Sequence, residues 1–419
     1  MTSKIDFKEA YVWIWLPDAT EPVVAGKLEQ DGDNLVFAYG RSYLEREEAI
    51  SIYDPELPLK AGTLPLLNNL TKPNCLRDAA PDAWGRRVII NRITGLKGDV
   101  AGSIELSELT YMLESGSDRI GALDFQVSPF KYVPRETNSA TLEELMASAK
   151  LVEEGVPLSR ELGQALLHGT PIGGARPKVL INEHNRKYVA KFSGSGDTYS
   201  VVKAEFIAMR LAKLVGLNVS PVQMVEAAHK EVLLIERFDR VYTKSRWKRK
   251  SIVSALTLFE LDEHMPQYAS YQKLAEIIRL RFSSPKETLK ELYGRMVFNI
   301  LCGNTDDHAR NHSAFWDGKT LTLTPAYDIC PQARAGGEAT QAMLILGNNR
   351  YSQLTVCVEA SAYFHLSEDE ARAIIRHQKL IIEKNWDIVC DQANLSEVDR
   401  ALFWHRQFLN PYAFEGLED

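Results

Sequence analysis

The 419-residue chain is short of positive charge. It has 49 lysines and arginines against 56 acids, a net charge of -7. Tight, non-specific nucleic-acid binders are normally basic, so that class drops out, although a local basic patch does not. Cysteine is scarce: Cys75, Cys302, Cys330, Cys357 and Cys390 are odd in number, far apart, and form no C-x-x-C pair. A disulfide scaffold and a zinc ribbon are thereby excluded, and reduced thiols are expected. No apolar run approaches the ~20 residues that span a bilayer. The opening MTSKIDFKEA lacks the apolar stretch of a secretory signal, so a cytoplasmic protein with no membrane partner is expected. Internal repeats and low-complexity tracts are also missing. Hydrophobic residues make up 45% and charged residues 25%. That is ample material for a core, and the length predicts two or three compact units.

Strand signals come first. Ala10 to Leu16 is aromatic and β-branched, then turns at Pro17-Asp18. Val23 to Leu28 and Leu35 to Tyr39 flank the turn residues Asp31-Gly-Asp-Asn34, a hairpin pattern. A loop-rich block with Pro55, Pro58 and Pro65 leads through Pro81-Asp-Ala-Trp-Gly-Arg-Arg87 into Val88-Ile-Ile90. Helices are expected from Thr141 to Leu167, where Thr141-Leu-Glu-Glu144 has the form of a capping box. A second strand-rich stretch follows: Lys178 to Ile181, a polar turn at Glu183 to Arg186, then Lys187 to Phe192. A helix is predicted over Lys203 to Val215, closed by Gly216, and a strand over Val232 to Ile235. Beyond Ser251 the chain should be mostly helical, except for loop, hairpin and loop from Asn304 to Pro331.

The sharpest chemistry lies in Gly303-Asn-Thr-Asp-Asp-His-Ala-Arg-Asn-His312. This segment follows an apolar helix end and precedes a hairpin turning at Asp317-Gly318, then Pro325-Ala-Tyr-Asp328. Asp306 and Asn311 are spaced D-x-x-x-x-N, and Asp328 comes after the short hairpin, as in kinase catalytic loops. There one carboxylate orients the attacking hydroxyl and takes its proton. An amide oxygen and a second carboxylate hold Mg²⁺, which prefers hard oxygen ligands. The alternatives are a merely solvated acidic turn, or zinc held by His308 and His312 at i, i+4, although no Glu stands beside His308. Gly173-Gly174-Ala175 precedes a strand and lets backbone N–H groups approach phosphate, but it is no Walker A loop. Lys191 ends the apolar Tyr188-Val-Ala-Lys191 and could meet phosphates or simply lie at a strand edge. Glu205, on the next helix, is its candidate ion-pair partner or a surface acid. Glu236-Arg-Phe238 leaves a strand where backbone groups could meet adenine. No single feature is strong. The linear order of Gly loop, strand Lys, helix Glu, strand exit, helices, D-x-x-x-x-N, hairpin and Asp is that of a two-lobed protein kinase.

With these residues in view the chain resembles the HipA family of bacterial serine/threonine kinases, the toxin half of HipA–HipB toxin–antitoxin pairs. The resemblance is carried by Gly173-Gly-Ala-Arg-Pro-Lys178, Tyr188 to Lys191, Glu236-Arg-Phe-Asp-Arg240, Asn304 to Asn311 and Leu323-Thr-Pro-Ala-Tyr-Asp328, and by Pro81 to Arg86 in the N-terminal region. It implies an α+β, two-lobed kinase-like fold. A β-rich N-terminal subdomain would span 1–135, a small lobe 136–250 and a helical lobe 251–419. It implies ATP and Mg²⁺, with Asp306 as base and Asn311 and Asp328 on the metal. The ATP site would be formed by Gly173, Gly174, Ala175, Arg176, Pro177, Lys178 and Lys191, the hinge Glu236, Arg237 and Phe238, and His308, Ala309, Arg310, Asn311, Tyr327 and Asp328. The implied substrate is a protein such as an aminoacyl-tRNA synthetase. The implied partner is a HipB-like helix-turn-helix antitoxin, through which alone DNA would be reached.

Two departures stand out. Some relatives silence themselves by phosphorylating a Ser just before the Gly loop; here Pro171 occupies that place, beside Thr170. Asp328 is followed by Ile329 and Cys330, not Phe-Gly. Two readings compete with the protein kinase: a small-molecule kinase on the same fold, and a non-catalytic co-repressor. The basic run Lys244 to Lys250 could meet phosphates or an acidic partner, or be a solvated loop. Trp84 reads as a packing residue beside the surface charges Arg86 and Arg87.

Overall fold

The computed structural model describes residues 7–94, 106–135, 140–159, 162–163, 166, 176–194, 197, 199–334 and 336–417. Thr170, Pro171 and the Gly173–Ala175 loop therefore lie outside the described residues. The chain is a mixture of helices and several antiparallel sheets, in two compact units. One unit is made of 1–196, 225–253 and 316–319, the other of 197–224, 254–315 and 320–419.

In the first unit, β1 (Glu9–Ile14), β2 (Val23–Asp31), β3 (Asn34–Tyr39), β4 (Thr63–Leu64) and β5 (Leu123–Gln126) form a sheet in the order β4-β3-β2-β1-β5. The expected hairpin is present, with Asp31 paired to Asn34 around Gly32 at φ 60°. Gly26 is required there, because a Cβ would lie 2.2 Å from the Ala38 carbonyl. A second sheet contains β6 (Lys178–Glu183), β7 (Arg186–Phe192), β8 (Val222–Ala227) and β9 (Lys230–Glu236), in the order β6-β7-β9-β8. Its core face carries Val179, Tyr188, Ala190, Phe192, Val232 and Leu234. These pack with Trp84 and Val88 of the helix Ala83–Thr94 and with Leu145, Ala149 and Val152 of the helix Leu142–Glu153. The Thr141–Glu144 capping box starts the latter helix as expected. Trp84 is a packing residue: it is buried, and its Nε1 donates to the Lys178 carbonyl at 3.1 Å.

β10 (Arg240–Thr243) and β11 (Arg246–Arg249) form a hairpin turned by Lys244 and Ser245, both at positive φ. The basic run Lys244 to Lys250 thus lies on this hairpin, with Lys244, Arg246 and Lys250 exposed. Arg246 pairs with Glu21 at 3.0 Å and Lys248 with Asp18 at 2.6 Å. The Arg249 guanidinium lies 3.5 Å over the Trp15 ring centre. Trp316 also belongs to this unit; its Nε1 donates to the Ser51 carbonyl at 2.9 Å and its ring meets Tyr53 edge-on.

The second unit is mainly helical. Its helices are Val201–Leu214, Tyr271–Arg281, Pro285–Leu301, Leu354–Ala360, Glu368–Gln392 and Glu397–Phe403. The first starts two residues earlier than expected and ends at Leu214, one residue before the expected Val215, with Gly216 just beyond it at φ 96°. β12 (Ile252–Ser254), most of it in the first unit, precedes the helices from Tyr271 onward, and β13 (Ser313–Trp316) and β14 (Leu321–Leu323) form the expected hairpin, with Gly318 at φ 97°. One expectation fails. Apart from residue 335, the stretch from Gln332 to Gln353 is turns and isolated bridges, such as Thr340 with Tyr351, and is not helical. Gly336, Gly337, Gly347 and the two asparagines that follow it resist helix.

Candidate functional site

The first unit holds the expected nucleotide-side residues. Lys178 and Lys191 are direct cross-strand partners in the β6–β7 register. Strand alternation then puts both side chains on the face opposite the helix-covered core. Lys191 is itself opposite Leu233, and Val189 opposite Ile235, so an apolar row continues from the lysines across β9. Two cations facing each other on adjacent strands are unfavourable unless anionic charge lies between or beside them. Arg176 is exposed and Pro177 buried at the start of β6. Glu236 is half-buried and pairs with Arg186 at 2.9 Å.

The Arg237 side chain is committed within the protein. Its amide donates to the Lys187 carbonyl at 2.8 Å. Its guanidinium is buried and committed to Asp239 (2.9 and 2.8 Å), to Asp118 Oδ1 (3.1 Å) and to the carbonyls of Asp118 and Arg119. Any contact of residue 237 with a nucleotide is therefore through its backbone. Asp118, Asp239, Arg240 and Lys187 were not singled out as a cluster by the sequence. The recurring acid–Arg alternation in Glu236-Arg-Phe-Asp-Arg240 was the one signal available.

In the second unit the helix Pro285–Leu301 delivers the chain to the acidic loop. Gly303 turns it at φ 70°, and a Cβ there would sit 2.5 Å from the Gln407 carbonyl oxygen, so only glycine fits. Asp306 is exposed and Asp307 buried. Asp307 Oδ2 accepts from the Tyr271 hydroxyl and is 2.9 Å from His312 Nε2. Burial works to raise the Asp307 pKa. The adjacent His312 and the hydrogen bonds from His312 and Tyr271 outweigh it and hold the carboxyl below the usual range. The same environment, burial first and Asp307 second, pushes the Tyr271 phenol well up. The bond between Asp307 and His312 ties the loop beside both candidates: Asp306 stands one residue before its first end and Asn311 one residue before its second. Asn311 Nδ2 donates to the Asp306 carbonyl at 3.3 Å, which leaves its Oδ1 as the acceptor.

Asp328 is brought to the same loop by the hairpin. Tyr327 Oη donates to the Arg310 carbonyl at 2.7 Å and meets Ser313 Oγ at 2.5 Å. Ala326 exchanges backbone bonds with Asn218 and Ser220, and buried Arg295 donates to the Thr324 carbonyl at 2.8 Å. Asp328 itself sits at φ 59°, a left-handed conformation costing an L-residue about 1 kcal/mol or more. Ala309 is buried, while Arg310 pairs with Glu263 at 3.2 Å. Glu205 is only 2% exposed, so it is not a surface acid.

The donor chemistry fits a hard cation: an amide oxygen and a carboxylate on neighbouring, tied loops. His308 Nδ1 is buried and finds no hydrogen-bond partner among the described residues, a polar atom suited to a ligand. The zinc alternative is not supported. Residues 309–311 form a 3₁₀ turn rather than an α-helical face, His312 is engaged by Asp307, and no cluster of three metal-ligating side chains occurs among the described residues.

Comparison with known proteins agrees with this order of parts. Residues 15–126 match the HipA N-terminal domain, and residues 170–386, more than half the chain, match the HipA-like C-terminal domain. The chain belongs to the HipA family. A relative named "Putative kinase Y4mE", from Sinorhizobium fredii, is 25% identical over 334 residues, 73% of this chain and 74% of the relative. The serine/threonine-protein kinase toxin HipA of Shewanella oneidensis is 27% identical over 183 residues, 38% of this chain and 42% of that protein. Among solved structures, a chain of the Shewanella oneidensis complex of HipA, HipB and operator DNA superimposes with a TM-score of 0.70 at 19% identity, covering 96% of this chain and 95% of that one. At that identity the likeness speaks for the HipA fold alone. No helix among the described residues is long and apolar enough to cross a membrane.

Proposed function

We propose that this HipA-family chain is an ATP-dependent serine/threonine protein kinase, the toxin of a toxin–antitoxin pair. Its substrate would be a translation component such as an aminoacyl-tRNA synthetase. Its lobes would divide as 1–135, 136–250 and 251–419, and a HipB-like helix-turn-helix antitoxin would restrain it in the cytoplasm and connect it to DNA. One observation supports the reading above the others. Asp306, Asn311 and Asp328 each adjoin a side chain (Asp307, His312, Tyr327) that is bonded into the same unit. An exposed acid beside two rigidly based oxygen donors suits phosphoryl transfer, which depends on positioning and electrostatics more than on covalent chemistry.

In this reading Asp306 orients the substrate hydroxyl and accepts its proton. Lys178 and Lys191 offset phosphate charge, and the backbone of Glu236–Phe238 meets the adenine. Asn311 Oδ1 and Asp328 would hold Mg²⁺, which would supply charge neutralisation at the phosphates. The test is phosphate transfer from labelled ATP to a cell lysate, resolved into protein and small-molecule fractions. Wild type should label protein, and Asp306→Asn should fall by about 10²-fold or more. Label confined to small molecules would replace this reading with a metabolite kinase. A fully active Asp306→Asn would remove Asp306 from the role of base.

A further inference from the structure

We infer that Asp118 is a positioning residue for base selectivity, acting on the strand exit Glu236–Phe238 from a distant part of the sequence. The inference rests on the proposal that this exit faces the nucleotide base. Asp118 is 1% exposed. Its Oδ1 accepts from Arg237 Nη1 at 3.1 Å and from Arg240 Nε and Nη2 at 3.0 and 2.9 Å, and its Oδ2 pairs with Lys187 Nζ. The Arg237 amide donates to the carbonyl of that same Lys187. One carboxylate thus grips both sides of the backbone bond at which β9 leaves β7.

The charge balance explains why the grip is firm. Asp118 and Asp239 face Lys187, Arg237 and Arg240, with Arg249 donating to the Ser117 carbonyl at 2.8 Å. Two acids serve three cations in a buried volume, so neither acid can be spared. Any shift of residues 236–238 drags Arg237 off its acceptors and strands a desolvated guanidinium. The strand exit is therefore rigid because of residue 118. A rigid line of backbone donors and acceptors rejects a base with the wrong edge, since its own polar groups would be left unpaired.

The test uses the full chain with Asp118→Asn and with Lys187→Met, which keeps side-chain length and lightens the excess positive charge. ATP and GTP affinities are titrated, ATP KM and kcat are measured, and thermal midpoints are recorded. Tyr43→Phe, which loses the hydrogen bond to the Ile50 carbonyl elsewhere in the same unit, is the destabilised control. Wild type should prefer ATP. Lys187→Met should shrink the ATP:GTP affinity ratio about tenfold and raise KM with kcat nearly unchanged, while Tyr43→Phe lowers the midpoint and leaves the ratio alone. A folded Lys187→Met with the wild-type ratio overturns the inference, as does a Tyr43→Phe that loses selectivity equally. Wild type that binds neither nucleotide defeats the underlying reading of 236–238 and this inference with it. Asp118→Asn need not fold for any of these outcomes.

Discussion

Each unit buries an aspartate, and the two are satisfied by different chemistry. Asp118 in the first unit accepts from Lys187, Arg237 and Arg240. Asp307 in the second accepts from a phenol and an imidazole, Tyr271 and His312. Burial pushes both pKa values up and loses in both cases. At Asp118 the opposing charges of Arg237, Arg240 and Lys187 hold the carboxyl well below its usual range; at Asp307 the shift is also downward, led by His312. The first centre is a charge lock and the second a hydrogen-bond lock. Asparagine separates them, because an amide still accepts hydrogen bonds but cannot neutralise a cation.

The largest effect should come from Asp118→Asn, which leaves buried cations uncompensated; a loss of about 3–5 kcal/mol is expected from denaturant unfolding. The buried Glu56 sharpens the contrast by pairing with no cation among the described residues. Glu56 accepts from the backbone N–H groups of Asn74 and Cys75 at 3.2 and 2.7 Å, and burial raises its pKa to about 7. The folded chain then binds a proton more tightly there than the unfolded chain. Its contribution is complete below the ordinary Glu value and is lost as pH rises to about 7, a fall of about 3 kcal/mol. Glu56→Gln should flatten that slope between pH 5 and 7 in urea titrations. Asp118 and Asp307 have lowered values, so their contributions are intact above about pH 4 and are lost only as pH falls further, Asp118 last. Asp307→Asn should cost about 1–2 kcal/mol, since one hydrogen bond of the lock can be remade. The smallest stability effect belongs to Asp306→Asn. That exposed side chain should change unfolding by less than about 0.5 kcal/mol while transfer activity is lost. If Asp306→Asn destabilises more than Asp307→Asn, the two neighbouring acids have been assigned the wrong roles.

Much of this was legible in the sequence because it was local. The β-branched runs broken by Asp31 to Asn34, the Thr141–Glu144 cap and the Gly216 stop each state their element within a few residues. The D-x-x-x-x-N spacing and the following hairpin were likewise readable. The division of labour between Asp306 and Asp307 was not, because adjacent acids look alike until Tyr271, 36 residues away, claims one of them. The fate of Arg237 depended on Asp118, 119 residues upstream, and that of the basic run on Asp18 and Glu21. Long-range pairing of charges leaves no periodicity to detect. The stretch after Pro331 differs for the opposite reason: Gly336, Gly337, Gly347, Asn348 and Asn349 oppose helix locally, although helices flank it.

The segment Trp316–Lys319, with its indole against Tyr53 and Ser51, belongs to a unit whose preceding segment ends at Val253. A ribosome adding 5–20 residues per second needs roughly 3–13 s to travel from one to the other. For that interval the emerging N-terminal half holds a vacancy that only later sequence can fill. Asp328 arrives later still. A message cut short, or a chain stalled before this point, therefore yields a protein lacking both its last structural piece and its second loop carboxylate. If the chain is the toxin proposed here, fragments that end before Asp328 are harmless to the cell.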